Sequence, residues 1–174
     1  MFELLLPFFL LILFILFLFI IWRINARKYI SSFTVASAYD AWTQDKLLER
    51  LWGEHIHLGF YPLGIQNTDF RKAKIQFVHE LVKWSGLDKL PKGSRILDVG
   101  CGIGGSSRIL AKYYGFNVTG ITISPAQVKR ARELTPSGLN CHFQVMDALD
   151  LKFEDGSFDA IWSVEAGAHM NDKN

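Results

Sequence analysis

Residues 95–107, Arg-Ile-Leu-Asp-Val-Gly-Cys-Gly-Ile-Gly-Gly-Ser-Ser, constrain this chain more than any other segment. An apolar run ends in Asp98 and breaks into a loop holding Gly100, Gly102, Gly104 and Gly105. A helix-compatible stretch, Ser106 to Tyr114, follows. Strand, acidic residue, glycine loop, helix is how an α/β fold brings backbone close to a nucleoside ligand. The glycines permit positive φ and close approach.

The charge of Asp98 bears on which ligand. A literal G-x-G-x-x-G runs through Gly100, Gly102 and Gly105, so a dinucleotide such as NAD is one reading. A carboxylate at the strand tip would repel its pyrophosphate. S-adenosylmethionine carries an ammonium and a sulfonium, and both favour a nearby carboxylate. The third reading is a structural turn with Asp98 as a helix cap. The sign of the charge favours the sulfonium nucleoside.

Downstream of Ser94 the pattern alternates between strand and helix. Expected strands are 95–99, 117–123, 139–145 and 158–164. Expected helices are 106–114 and 125–134, the second opened by Ser124 as N-cap and Pro125 at the first helical position. Glu154-Asp155-Gly156-Ser157 reads as the turn into the fourth strand. Strands separated by helices predict a parallel sheet with right-handed crossovers, a Rossmann-like α/β fold with its first four strands. Ligands then bind at the carboxyl ends of the strands. Upstream, 36–52 and 67–84 have helical spacing, the latter ended by Gly86. Between them lies Trp52-Gly53-Glu54-His55-Ile56-His57-Leu58-Gly59-Phe60-Tyr61-Pro62, a loop rich in aromatics and histidine. The expected divisions are a membrane span at 4–22, a linker at 23–34, a helical segment at 35–93 and an incomplete binding domain at 94–174.

The amino-terminal span rests on length and flanks. Leu4 to Trp22 is almost unbroken Leu, Phe and Ile with no charge. At about 1.5 Å per residue it extends roughly 28 Å, close to the hydrocarbon thickness of a bilayer. A cleaved signal peptide competes, with Ala36-Ser37-Ala38 as its cleavage site. That reading wants bases before the run, whereas Glu3 precedes it and Arg23, Arg27 and Lys28 follow. Those bases put the carboxyl side in the cytoplasm of a single-pass membrane protein. The other charges are scattered and the whole chain sums to +2, which argues against nucleic-acid binding. Cys101 and Cys141 are the only cysteines and lack metal-ligand spacing, so no metal is expected and both thiols read as free.

Asp98-Val99-Gly100-Cys101-Gly102-Ile103-Gly104, Val118–Gln127, Asp147-Ala148 and Asp155–Asp159 resemble the four motif regions of the class I S-adenosylmethionine-dependent methyltransferases. Trp52–Gly59, Gly120–Pro125 and Trp162–Met170 are similar to the prenylquinol methyltransferases of the tocopherol and plastoquinone pathways. The resemblance implies methyl transfer from S-adenosylmethionine to an aromatic ring carbon of a prenylated benzoquinol. γ-Tocopherol methylation is the alternative, and a membrane-tethered binding module without catalysis is the non-enzymatic one. It also implies cofactor-binding roles. Asp98 takes the ammonium; the Gly100, Cys101, Gly102 and Gly104 loop takes the methionine part. Thr122, Ser124 and Gln127 lie near the ribose. Asp147, beside Ala148, accepts from the adenine amino group, or else caps a loop. Many class I enzymes carry an acid where Thr122 stands, so ribose binding here leans on other groups. His57, Glu165 and His169 are the catalytic candidates, from a pool that includes His55 and Glu54. Trp52, Phe60 and Tyr61 line a prenyl pocket or anchor packing. Family members continue well beyond residue 174, so a fragment, poorly stable and inactive alone, is expected. The oligomeric state is not legible.

Overall fold

A computed structural model describes residues 2–25, 32–63 and 69–170. The chain forms two compact units, Met1–Thr34 and Val35–Asn174.

In the first unit, helix α1 spans Phe2–Asn25. Its described side chains, Phe9 to Ile21, are all exposed to at least 38%. Among the described residues no helix is long and apolar enough to cross a membrane, so the expected span at 4–22 is not supported. The expected linker at 23–34 is shortened by helix at both ends, and residues 26–31 lie outside the described residues.

The expected helix over 36–52 is two helices, α2 (Ser32–Gln44) and α3 (Leu47–Trp52). The break falls at Lys46, which has φ 55°, while the Asp45 carboxylate accepts the Leu47 N–H at 2.8 Å. Asp is a poor interior helix residue because its side chain competes for backbone donors in this way. Helix α4 (Phe70–Ser85) starts on Asp69, whose side chain accepts the Arg71 N–H. It stops at Gly86 in the left-handed conformation. Positions 67 and 68 of the expected helix lie outside the described residues.

The remainder follows the sequence expectation closely: β1 (Arg95–Val99), α5 (Gly105–Tyr114), β2 (Asn117–Thr122), α6 (Pro125–Leu134), β3 (Cys141–Val145) and β4 (Ala160–Ser163). Ser124 caps α6 by accepting the Gln127 N–H, and Pro125 is its first residue. The four strands form a parallel sheet in the order β3-β2-β1-β4. Asp98 lies level with Gly120 on one side and Trp162 on the other. Ile96, Val118 and Trp162 pack with Val78 and Val82 of α4 and Ile109 and Leu110 of α5. Val128 and Ala131 of α6 pack on Phe143 beside Cys101. All three helices therefore cover one sheet face, as right-handed crossovers running in one direction require. On the other face Leu97, Val99 and Ile121 meet Met146, Ala148, Phe153, Phe158 and Met170. Strand order reverses between β1 and β4, which opens a crevice at their carboxyl ends.

Candidate functional site

Asp98 stands at that crevice. Its carboxylate is 3% exposed and accepts the Ser107 hydroxyl at 2.5 Å. It is not the cap of α5, whose N-cap Gly104 makes no side-chain bond. Burial raises its pKa to about 6, against a smaller lowering by the Ser107 bond. A buried acid held only by a hydroxyl gains most from a positively charged ligand group. Ser107 carried no signal in the sequence beyond its place in the first turns of the helix.

The loop after Asp98 is pinned by Gly100 N–H and Cys101 N–H, both donating to Ile121 C=O at 2.9 and 3.0 Å. Gly100 has φ 74°, and a Cβ there would lie 2.4 Å from the Ala166 methyl. Gly102 and Gly104 also have positive φ. Cys101 is buried and burial pushes its thiol well up, so it contributes shape and not a thiolate.

At the end of β2, the expected residues come together. The Thr122 hydroxyl donates to Gln127 Oε1 at 2.7 Å, and Ser124 N–H donates to Thr122 Oγ1 at 3.3 Å. All three side chains are buried. The first bond orients the Gln127 amide and leaves its N–H groups as donors. Asp40 of α2, which nothing in the sequence singles out, accepts the Ser124 hydroxyl at 2.5 Å and the Ala126 N–H at 3.0 Å. Half-buried Asp147 follows β3 and accepts the Leu149 N–H at 2.9 Å. The loop-capping contact is thus present, through one of its two oxygens. Ala148 packs on the sheet face opposite Asp98.

The aromatic and histidine loop straps the same edge. Glu54 pairs with Arg108 of α5 at 2.5 Å. The His55 ring lies over Gly105, where a Cβ would meet it at 2.8 Å. Lys74 of α4, itself 4% exposed, donates to His55 C=O at 2.8 Å. His57 Nδ1 lies 2.7 Å from Leu58 C=O, and its Nε2 lies 3.1 Å from His55 Nδ1. A carbonyl only accepts, so His57 Nδ1 is the donor; its Nε2 then accepts from His55. Burial holds His57 below the usual histidine range and drives His55 down to about 3. Both nitrogens of His57 are therefore occupied within the protein.

Glu165 follows β4 with φ 57°, a left-handed conformation that is strained for glutamate. Its exposed side chain accepts the Leu58 N–H at 3.0 Å through Oε1. Ala166, the residue after Glu165, lies against Gly100 at the end of β1. His169 lies in a short 3-10 turn, Gly167–His169, and its side chain is outside the described residues. Trp52, Phe60 and Tyr61 are all more than a third exposed, with Trp52 edge-on to Phe70.

Comparison with known proteins places this geometry. Residues 96–174 match the family model of a methyltransferase domain. The chain is 62% identical over 153 residues to the 2-methyl-6-phytyl-1,4-hydroquinone methyltransferase of Synechocystis sp., covering 88% of this chain and 48% of that protein. It is 44% identical over 137 residues to a chloroplastic tocopherol O-methyltransferase of Arabidopsis thaliana, covering 73% and 39%. Among solved structures, a putative sarcosine dimethylglycine methyltransferase from Galdieria sulphuraria superposes with TM-score 0.63 at 30% identity, covering 72% of this chain and 48% of that one. The 4+2 cyclase SpnF superposes with TM-score 0.66, also at 30% identity, covering 76% and 48%. The chain spans about half the length of the curated relatives it matches. A cyclase on the same fold is a reminder that the site, not the fold, must carry the function.

Proposed function

We propose that the protein is a methyltransferase, residues 96–174 matching the model of a methyltransferase domain, and that it transfers a methyl group from S-adenosylmethionine to an aromatic ring carbon of a prenylated benzoquinol of the 2-methyl-6-phytyl type. One observation carries the substrate class: 62% identity across 153 residues to a relative named for that reaction, against 44% to one named for tocopherol. Buried Asp98 supports the cofactor, since a cationic ligand group offsets the cost of ionising it beyond what the Ser107 bond does.

When bound, the cofactor supplies a methyl group already activated on sulfonium. The residues align the partners and raise electron density on the ring. Asp98 holds the ammonium, and the Gly100–Gly104 backbone holds the methionine part. Thr122, Ser124 and Gln127 serve the ribose, and the free oxygen of Asp147 serves the adenine amino group. Glu165 is the base that takes the quinol hydroxyl proton, which increases the ring's nucleophilicity; loss of the proton on the methylated carbon and return of one to the oxygen then restore the aromatic quinol. His57 positions it: the ring holds Leu58 C=O, and Leu58 N–H holds Glu165 Oε1. His169, four residues on, completes the catalytic set.

The apolar run within α1 tethers the enzyme to the membrane. A phytyl chain partitions into lipid at about 0.8 kcal/mol per methylene, with its quinol head at the interface. A tethered enzyme meets it there. Arg23, Arg27 and Lys28 place the catalytic unit on the cytoplasmic side. Deleting residues 1–28 from the full-length protein is expected to lower activity on membrane-embedded quinol; unchanged activity refutes the tether.

The deciding assay compares methylphytylquinol, methylsolanesylquinol and γ-tocopherol as acceptors for the full-length protein, with product analysis. Ring methylation of the first two supports the reading. Transfer only to γ-tocopherol, or none at all, overturns it.

A further inference from the structure

The carboxyl end of β2 presents Thr122 where an acid would give a charged acceptor for ribose hydroxyls. Its two hydroxyls are already engaged as donors. The Thr122 hydrogen goes to Gln127 and the Ser124 hydrogen to Asp40. Neither hydroxyl carries a charge.

A carboxylate nevertheless reaches this corner from far along the chain. Asp40 on α2 accepts from Ser124 Oγ and Ala126 N–H, both through Oδ1. Its Oδ2 accepts no hydrogen bond from the described residues, and the side chain is only half-buried. A second tie holds the same region: Glu49 of α3 grips Arg130 of α6 through two bonds of 2.6 and 2.8 Å. The carboxylate is therefore fixed in place rather than swinging on a free helix. A carboxylate oxygen at the same corner as the donor amide of Gln127 matches a vicinal diol, whose hydroxyls both donate and accept.

We propose that Asp40 supplies, from α2, the ribose-recognising carboxylate that β2 lacks, its Oδ2 accepting a ribose hydroxyl of the bound sulfonium nucleoside. This rests on the cofactor named under Proposed function.

The test is a coupling measurement on the full-length protein. Calorimetry gives the affinities of wild type and Asp40→Asn for S-adenosylhomocysteine and for its 2′-deoxy and 3′-deoxy analogues. Wild type is expected to bind one deoxy analogue about tenfold more weakly than the parent, the scale of a charge-assisted hydrogen bond. Asp40→Asn is expected to lose about tenfold for the parent and nothing further for that analogue. An equal loss for all three ligands makes Asp40 a mere tie between α2 and α6, and overturns the inference. So does unchanged binding. If Asp40→Asn does not fold, Asp40→Ser keeps an oxygen to accept from Ser124 and Ala126 but removes the charge, and the deoxy penalty must then disappear; its persistence overturns the inference. Absence of S-adenosylhomocysteine binding by wild type is a different failure. It removes the cofactor assignment, and this inference falls with it.

Discussion

The carboxyl ends of β1 and β2 sit side by side on one sheet, yet they acquire their negative charge by opposite routes. At β1 the acid is built into the strand. Asp98, its glycine loop and its partner Ser107 all lie within residues 98–107. At β2 the local residues are neutral, and the carboxylate comes from α2, 84 positions earlier. The β1 charge is fully enclosed, and burial raises its pKa to about 6. The β2 charge is half-exposed and remains close to solvent. A charge that must be enclosed belongs on the strand, where sheet and helix wrap it. A charge left near solvent can be delivered by an outlying helix.

The sharpest way to break this contrast is to disturb the loop at β1. Gly100 has φ 74°, and an added Cβ would lie 2.4 Å from the Ala166 Cβ. Strain and overpacking act together, so Gly100→Ala is expected to cost about 3 kcal/mol of stability in urea denaturation. Thr122→Val at the other corner removes the hydroxyl's two bonds, to Gln127 Oε1 and from Ser124 N–H, and is expected to cost about 2 kcal/mol. Equal costs would mean that the two corners are not built differently.

The next test uses the enclosure of Asp98. Its carboxyl titrates near 6 in the folded chain, against 3.8 for the free group. Between those values the folded chain holds a proton that the unfolded chain has released. The fold is therefore relatively stabilised at low pH, and loses up to about 3 kcal/mol from this group as pH rises through 6. Asp98→Asn removes that dependence, so its melting temperature relative to wild type should rise between pH 5 and 8. Binding runs the other way. A cationic ligand requires the ionised form, so wild-type affinity for S-adenosylhomocysteine should fall about tenfold per pH unit below about 6. Asp98→Asn should bind at least tenfold more weakly at pH 8 and show no such slope. A pH-independent wild type would mean that Asp98 is not the group that meets the cation.

The same contrast explains what was legible in the sequence. From Ser94 onward, strand and helix alternate at short range, and punctuation by Ser124-Pro125, Gly115 and Gly156 is local chemistry. Those boundaries emerge nearly where expected. The loop glycines and Asp98 are one contiguous motif, so the β1 corner was readable. Thr122, Ser124 and Gln127 were also readable as a group, because a strand end and a helix cap bring them together. Asp40 was not, since nothing near Ala36–Gln44 says which helix that stretch will pack against. The break between α2 and α3 was hidden for a related reason: apolar spacing continued through Asp45-Lys46, while the Asp45 side chain captured the Leu47 N–H. His57 stood in the sequence only as one catalytic candidate, because its partners, a neighbouring carbonyl and His55, appear only once the loop is folded.

The smallest expected effect concerns the strap that joins the two corners. Glu49–Arg130 lies on the β2 side, with side chains 22% and 20% exposed, and Glu54–Arg108 on the β1 side, at 46% and 10%. Coulombic attraction is screened more at the exposed carboxylate. Glu54→Gln is therefore expected to cost only about 0.5 kcal/mol and to become neutral in high salt. Glu49→Gln, which breaks a two-bonded guanidinium contact, is expected to cost about 1 kcal/mol and to keep more of that cost in salt. Chemical denaturation in urea at low and high sodium chloride measures both. If the order is reversed, the strap is anchored at the glycine loop rather than at α6. Asp40 would then stand on the looser end, too mobile to hold a hydroxyl.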